Sequence, residues 1–132
     1  MKIALAQMEV IPGKPKKNLE TMLSLIEEAK KKKVDLIAFP EMCVGGYLLG
    51  DKWTSTAFCR DLMKYNEILL KASNGIAIAY GNVFLDENIN ERTGNDEFHP
   101  NKDGRIRKYN AIYVIQNGKP AERIKETNLL PL

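Results

Sequence analysis

The sequence predicts an α/β domain built on a mixed sheet, parallel where it starts and antiparallel where it ends, with two helices on one face. Three observations carry that class. Ile3 to Met8, Val34 to Phe39 and Ile76 to Leu85 are short apolar runs of strand length, and stretches of helical periodicity separate them. Strand, helix, strand in that order calls for a right-handed crossover and therefore for parallel neighbours. Asn117-Gly118, between Tyr109 to Gln116 and Lys119 to Lys125, is the strongest short hairpin signal in the chain and closes the sheet with an antiparallel pair.

After the first run, Pro12, Gly13 and Pro15 break the chain. Leu19, Met22, Leu23, Ile26 and Ala29 then recur at helical spacing, with Glu27, Glu28 and the lysines on the other face. Lys30 to Lys33 fall where this helix should end, a position that favours cations through the helix dipole, so the run reads as a solvated helix end rather than a nucleic-acid patch. The second apolar run meets Pro40, which has no N–H for a ladder, so the strand stops there and Glu41 is the first side chain presented beyond it. Gly45-Gly46-Tyr47 marks a loop. A second helix begins near Thr54 or Ser55, either of which can cap it, and runs through Phe58, Leu62, Tyr65, Ile68, Leu69 and Ala72 to the Asn74-Gly75 stop. From Asp86 to Lys108 the chain is polar and broken by Gly94, Pro100 and Gly104, which reads as a long excursion outside the core.

The 132 residues suffice for one small domain with a core, and 44% hydrophobic with 28% charged residues is an ordinary soluble composition. Net charge is a mild +3. No apolar run reaches the roughly 18 residues of a membrane span, and the start, Met1 to Ala6, is too short and too soon polar for a signal peptide. The expectation is a cytoplasmic protein with neither a membrane nor a nucleic-acid partner. Cys43 and Cys59 form no metal-type or framework spacing, which suits free thiols in a reducing compartment. Asp86, Asn88, Asn90 and Glu97 match four positions of a calcium loop, yet Glu91 stands where that loop needs glycine and a strand precedes it, so no metal is expected here. His99, the single histidine, has no cysteine or histidine partner at ligand spacing and reads as a surface side chain.

Glu41 therefore stands out. At the rim of a buried strand, where α/β sheets gather their chemistry, its carboxylate is a candidate general base. Capping the next turn, or pairing with a lysine, accounts for the same segment equally well.

A first strand ending Ala6-Gln7, a helix rich in Glu and Lys, the run Val34-Asp35-Leu36-Ile37-Ala38-Phe39-Pro40-Glu41 and the following Gly46-Tyr47 resemble the start of the nitrilase, or carbon-nitrogen hydrolase, superfamily. Within it, Cys43 to Asp51, Arg107-Lys108-Tyr109-Asn110-Ala111 and Gln116-Asn117-Gly118-Lys119 are most similar to the glutamine-hydrolysing domain of glutamine-dependent NAD synthetases. The likeness spans residues 1–132, about the first half of a domain that can reach ~250 residues. It implies an αββα sandwich, of which this chain is the N-terminal half, and a triad of glutamate, lysine and cysteine. The cysteine attacks the glutamine carboxamide, the glutamate takes its proton, and the lysine steadies the oxyanion. Glu41 matches the glutamate and Lys125 the lysine, although Leu130-Pro131 follows Lys125 at a longer interval than in the family pattern.

In that pattern the nucleophile stands on an elbow beyond the lysine motif, past Leu132. The expectation is thus a partial domain, truncated before its nucleophile and inactive by itself. Neither cysteine present maps onto that elbow. Cys43 reads as a small semi-buried side chain and Cys59 as a structural residue of the second helix. The branch further implies glutamine as substrate, a C-terminal ligase domain that uses ATP and magnesium to amidate nicotinic acid adenine dinucleotide, and homo-oligomers; it implies no cofactor for residues 1–132. Two other readings stay open: a stand-alone amidase or carbamoylase, and a non-catalytic chain acting only through association.

Overall fold

A computed structural model describes residues 1–47, 49–85 and 108–120. The elements are β1 (Ile3–Leu5), α1 (Pro15–Lys31), β2 (Leu36–Ala38), a 3₁₀ turn (Gly50–Thr54), α2 (Thr56–Ala72), β3 (Ala77–Leu85), β4 (Lys108–Gln116) and β5 (Lys119–Pro120). They form one sheet in the order β1-β2-β3-β4-β5. The first three strands are parallel, and β4 and β5 add antiparallel. Two crossovers that advance the same way across a sheet put their helices on the same face. Accordingly Leu19, Met22, Ile26 and Ala29 of α1 and Cys59, Leu62 and Leu69 of α2 share one cluster with Ile37, Ile78 and Ile115, which lie side by side across β2, β3 and β4.

The alternate row of the sheet turns away from the helices. Leu5, Ala38, Ala79 and Val114 are in register there, and Leu5 is 78% exposed. Ile3 and Ile112 are exposed as well. The apolar run Ile3 to Met8, whose composition suits a buried strand, is instead a short edge strand with one covered face: Ala4, and Ala6 just beyond the end of β1, pack inward while Ile3 and Leu5 look out.

Local chemistry accounts for most boundaries. Pro15 opens α1 instead of breaking the chain, because a residue at the first helical position has no intrahelical partner for an N–H and loses nothing by lacking one. Ser55 caps α2, its hydroxyl accepting from Phe58 N at 3.2 Å, while Thr54 donates to Asp51 O inside the 3₁₀ turn. Ile68 does not join the α2 stripe and is 42% exposed, since a position one residue from Leu69 is rotated by about 100° around the helix. Asn117 (φ 51°) and Gly118 (φ 73°) both take positive φ, as a tight hairpin turn of the right twist requires. That turn is also tied to the end of α2: Asn117 Oδ1 accepts from Gly75 N and Gly118 N donates to Ser73 Oγ, both at 2.9 Å. The excursion from Asp86, with His99 and the calcium-like pattern, and the end of the hairpin, with Lys125, lie outside the described residues.

Candidate functional site

β3 runs on past Ala79, its last residue paired with β2, as far as Leu85, and the chain after β2 fills the space beside it. Phe39 N still donates to Ala79 O at 2.8 Å; Pro40 then ends the strand and a turn begins. Met42, fully buried, takes a left-handed conformation (φ 49°), and its carbonyl accepts from Gly46 N at 2.8 Å. A non-glycine residue held at positive φ stores strain that surrounding structure must repay, and such residues gather at functional sites. Here the surroundings are specific. The buried Asn18 amide of α1 accepts from Ile11 N and donates to Ile11 O and Val44 O, and Gly13 N donates to Gly45 O at 2.9 Å. Gly46 (φ 79°) lies so close to the preceding segment that a β-carbon there would stand 2.8 Å from Pro12 Cα.

This turn presents Glu41 to solvent and buries Met42 and Cys43 directly after it. Asn110 of β4 donates through Nδ2 to Glu41 Oε1, and Tyr47, from the end of the same turn, hydrogen-bonds the carboxylate too. Asn110 Nδ2 also reaches Tyr47 Oη at 3.5 Å. The Tyr47 hydroxyl first and the Asn110 amide second hold the Glu41 carboxyl below its ordinary range, against a smaller opposing effect of burial. Burial, then the hydrogen bond to Glu41, pushes the Tyr47 phenol up. A carboxylate has about four acceptor positions, so two donors fix its orientation and leave it able to take a proton.

Cys43, two residues on, meets the opposite setting. Its Sγ is fully buried, 3.8 Å from Met22 Sδ and 3.5 Å from Gly81 O, and burial pushes the thiol up to about 11. Cys59 is buried in α2 with its thiol raised by desolvation, an effect that Lys108 partly offsets. Lys108 is itself buried, its Nζ donating to Thr54 O at 3.4 Å. Neither cysteine has the exposure of a reactive thiol. Lys125 lies outside the described residues, so its placement relative to Glu41 does too. Among the described residues, no group of three or more His, Cys, Asp or Glu side chains is arranged to hold a metal ion, and no helix is long and apolar enough to cross a membrane.

The sequence profile of the carbon-nitrogen hydrolases, the nitrilase superfamily, matches residues 2–130. The chain belongs to that family. Over 129 residues this carbon-nitrogen hydrolase chain is 28% identical to a glutamine-dependent NAD(+) synthetase of Rhodobacter capsulatus, an alignment that takes in 97% of the chain and 20% of that protein. A solved glutamine-dependent NAD(+) synthetase from Cytophaga hutchinsonii superposes with a TM-score of 0.70 at 22% identity, over 89% of the chain and 17% of that structure. An amidase from Nesterenkonia sp. superposes with a TM-score of 0.62 at 15% identity, over 92% of the chain and 40% of that structure. The two structures share the fold, and the chain spans about a fifth of the synthetases' length.

Asn110 and Tyr47 are the site residues that sequence reasoning passed over. Both stand in segments that resemble the family, Gly46-Tyr47 and Tyr109-Asn110, but only the pairing of β3 with β4 brings Asn110 to Glu41, 69 residues away in sequence. An asparagine inside an apolar strand, where it is ordinarily unfavoured, was the one local signal.

Proposed function

We propose that this chain supplies the general base of a glutamine-hydrolysing amidase domain in a protein related to glutamine-dependent NAD synthetases. The observation that carries the reading is the setting of Glu41: an ionised, solvent-accessible carboxylate at a strand end, oriented by Asn110 and Tyr47. The synthetase branch rests on the likeness to the R. capsulatus protein along nearly all of the chain.

In this reading Glu41 takes the proton of a cysteine thiol as sulfur attacks the carboxamide carbon of glutamine. The C–N bond then breaks, Glu41 returns the proton to the departing ammonia, and a thioester remains. Water attacks that thioester with Glu41 again accepting a proton, and glutamate leaves as the thiol is restored. A positioned base contributes about 10²–10⁴-fold to such steps. Lys125 supplies the cation that steadies the oxyanion of each tetrahedral intermediate. The thiol is neither Cys43 nor Cys59, both of which are buried and protonated. The ammonia passes to a ligase domain that binds ATP and magnesium and amidates nicotinic acid adenine dinucleotide; no residue of this chain is assigned to those ligands. The protein works as a homo-oligomer in the cytoplasm, where free thiols persist.

Ammonia release from glutamine by the full-length protein, measured against Glu41→Gln, tests the reading. A loss of about 10³-fold is expected. Undiminished turnover in Glu41→Gln removes Glu41 from the chemistry, and hydrolysis of simple aliphatic amides in place of glutamine moves the protein to the amidase branch.

A further inference from the structure

Gly81 lies inside β3, with a backbone conformation open to any residue, so its missing side chain costs the strand packing and rigidity without serving a turn. Its use is space. A β-carbon on Gly81 would stand 2.8 Å from Glu41 C and 2.9 Å from Glu41 Cα, and closer still to Met42 N. All three atoms are backbone and cannot rotate aside. Just beyond them the chain touches the same residue again, with Cys43 Sγ 3.5 Å from Gly81 O.

We infer that Gly81 is a positioning residue for the Glu41 carboxylate, its bare Cα forming the seat on which the Glu41–Met42 peptide rests. The inference depends on the reading of Glu41 as general base. Seat and clamp belong to one rigid piece, since Gly81 pairs with Ile112 and Val83 with Asn110 in the same β3–β4 ladder. The residues that follow are held in place, which leaves the Glu41–Met42 peptide to take up the shift. Met42 is fully buried at positive φ with its carbonyl bonded by Gly46 N, and Asn18 holds Val44 O. An added methyl must reach ordinary contact at about 3.5–4.0 Å, so the peptide moves outward by on the order of 1 Å. Asn110 does not follow, and a hydrogen bond that spans only about 2.7–3.2 Å does not survive that shift.

The test is Gly81→Ala in the full-length protein, beside Ile78→Val, which trims a buried side chain of the same strand three residues before Gly81. We expect kcat/KM for glutamine to fall about 100-fold in Gly81→Ala, the loss associated with a 1 Å misplacement of a reacting group. The fall should lie in kcat, and the acid limb of the pH profile should move up as the carboxylate leaves its donors. Ile78→Val should lose thermal stability and keep the acid limb. A crystal structure of Gly81→Ala should show Glu41 detached from Asn110. Should Gly81→Ala fail to fold, the same readouts apply to Gly81→Ala/Cys43→Ala, in which loss of the Sγ beside Gly81 O gives the turn room without emptying a large buried site. An unmoved acid limb, or a crystal structure that keeps the Glu41–Asn110 contact, overturns the inference. If the unmodified protein hydrolyses no amide, the functional reading fails, while the crystal structure still decides whether Gly81 seats the turn.

Discussion

Glu41 and Cys43 share one turn and stand two residues apart, yet one is solvent-exposed and ionised while the other is sealed and protonated. Met42, between them at φ 49°, reverses the chain so that the carboxylate faces outward and the thiol faces Met22 of α1. Closeness in sequence would make them a natural base and nucleophile. The physics of their settings says otherwise: Glu41 has two hydrogen-bond donors and water, whereas desolvation dominates at Cys43. Competence for catalysis depends on the surroundings of a group, and a single left-handed residue is enough to separate two such environments.

The largest test of that contrast is activity. Glu41→Gln should lose about 10³-fold in glutamine hydrolysis by the full-length protein, while Cys43→Ser, whose hydroxyl can still donate to Gly81 O, should stay near the unmodified rate. The reverse pattern would exchange their roles. Next in size is thiol reactivity. A thiol raised from 9.0 to about 11 holds roughly a hundredfold less thiolate at neutral pH, so iodoacetamide should label native Cys43 at least about 100-fold more slowly than the unfolded chain, as followed by mass spectrometry. Labelling at the rate of a free thiol would show that the burial is not maintained in solution.

Removing the donors sharpens the other half of the contrast. Tyr47→Phe and Asn110→Ala should each lower kcat/KM by about tenfold, and each should move the acid limb of its pH profile upward, Tyr47→Phe by more. A limb that stays in place in both variants would mean that solvent alone sets the Glu41 carboxyl. The smallest effect concerns stability. Because folding lowers the Glu41 pKa, its contribution is present above the ordinary value of 4.5 and is lost as pH falls through the lower folded value. The difference in urea midpoint between the unmodified protein and Glu41→Gln should therefore shrink across that acid window. A difference that grew in acid would mean that the folded state prefers the protonated carboxyl.

Much of the fold was legible in the residues. The α1 stripe of Leu19, Met22, Ile26 and Ala29, the Ser55 cap and the Asn117-Gly118 turn are local signals, and each appears where its spacing places it. Errors arose where burial depends on the layer across the sheet. Ile3 and Leu5 have the composition of a buried strand but sit on an edge with one covered face, and Ile68 belongs to an apolar run but lies on the outer side of its helix. At the site, Glu41 was visible because Pro40 must end a strand. Asn110 and Gly81 were not, because an amide and an absent side chain acquire their roles only from the backbone that comes to rest beside them.

The sequence by itself determined the order of elements, the stop after β2 that presents Glu41, and a pair of cysteines with no framework to join. These arise from dihedral preferences and periodicities that neighbouring residues encode. Tertiary structure alone decided which donors hold the Glu41 carboxylate, why the peptide beside it can rest on Gly81, and why the thiol two residues away is silent. Hydrogen bonds and desolvation act through space over a few ångströms, and the β3–β4 register and the packing of α1 bring those groups together from 21 to 69 residues apart.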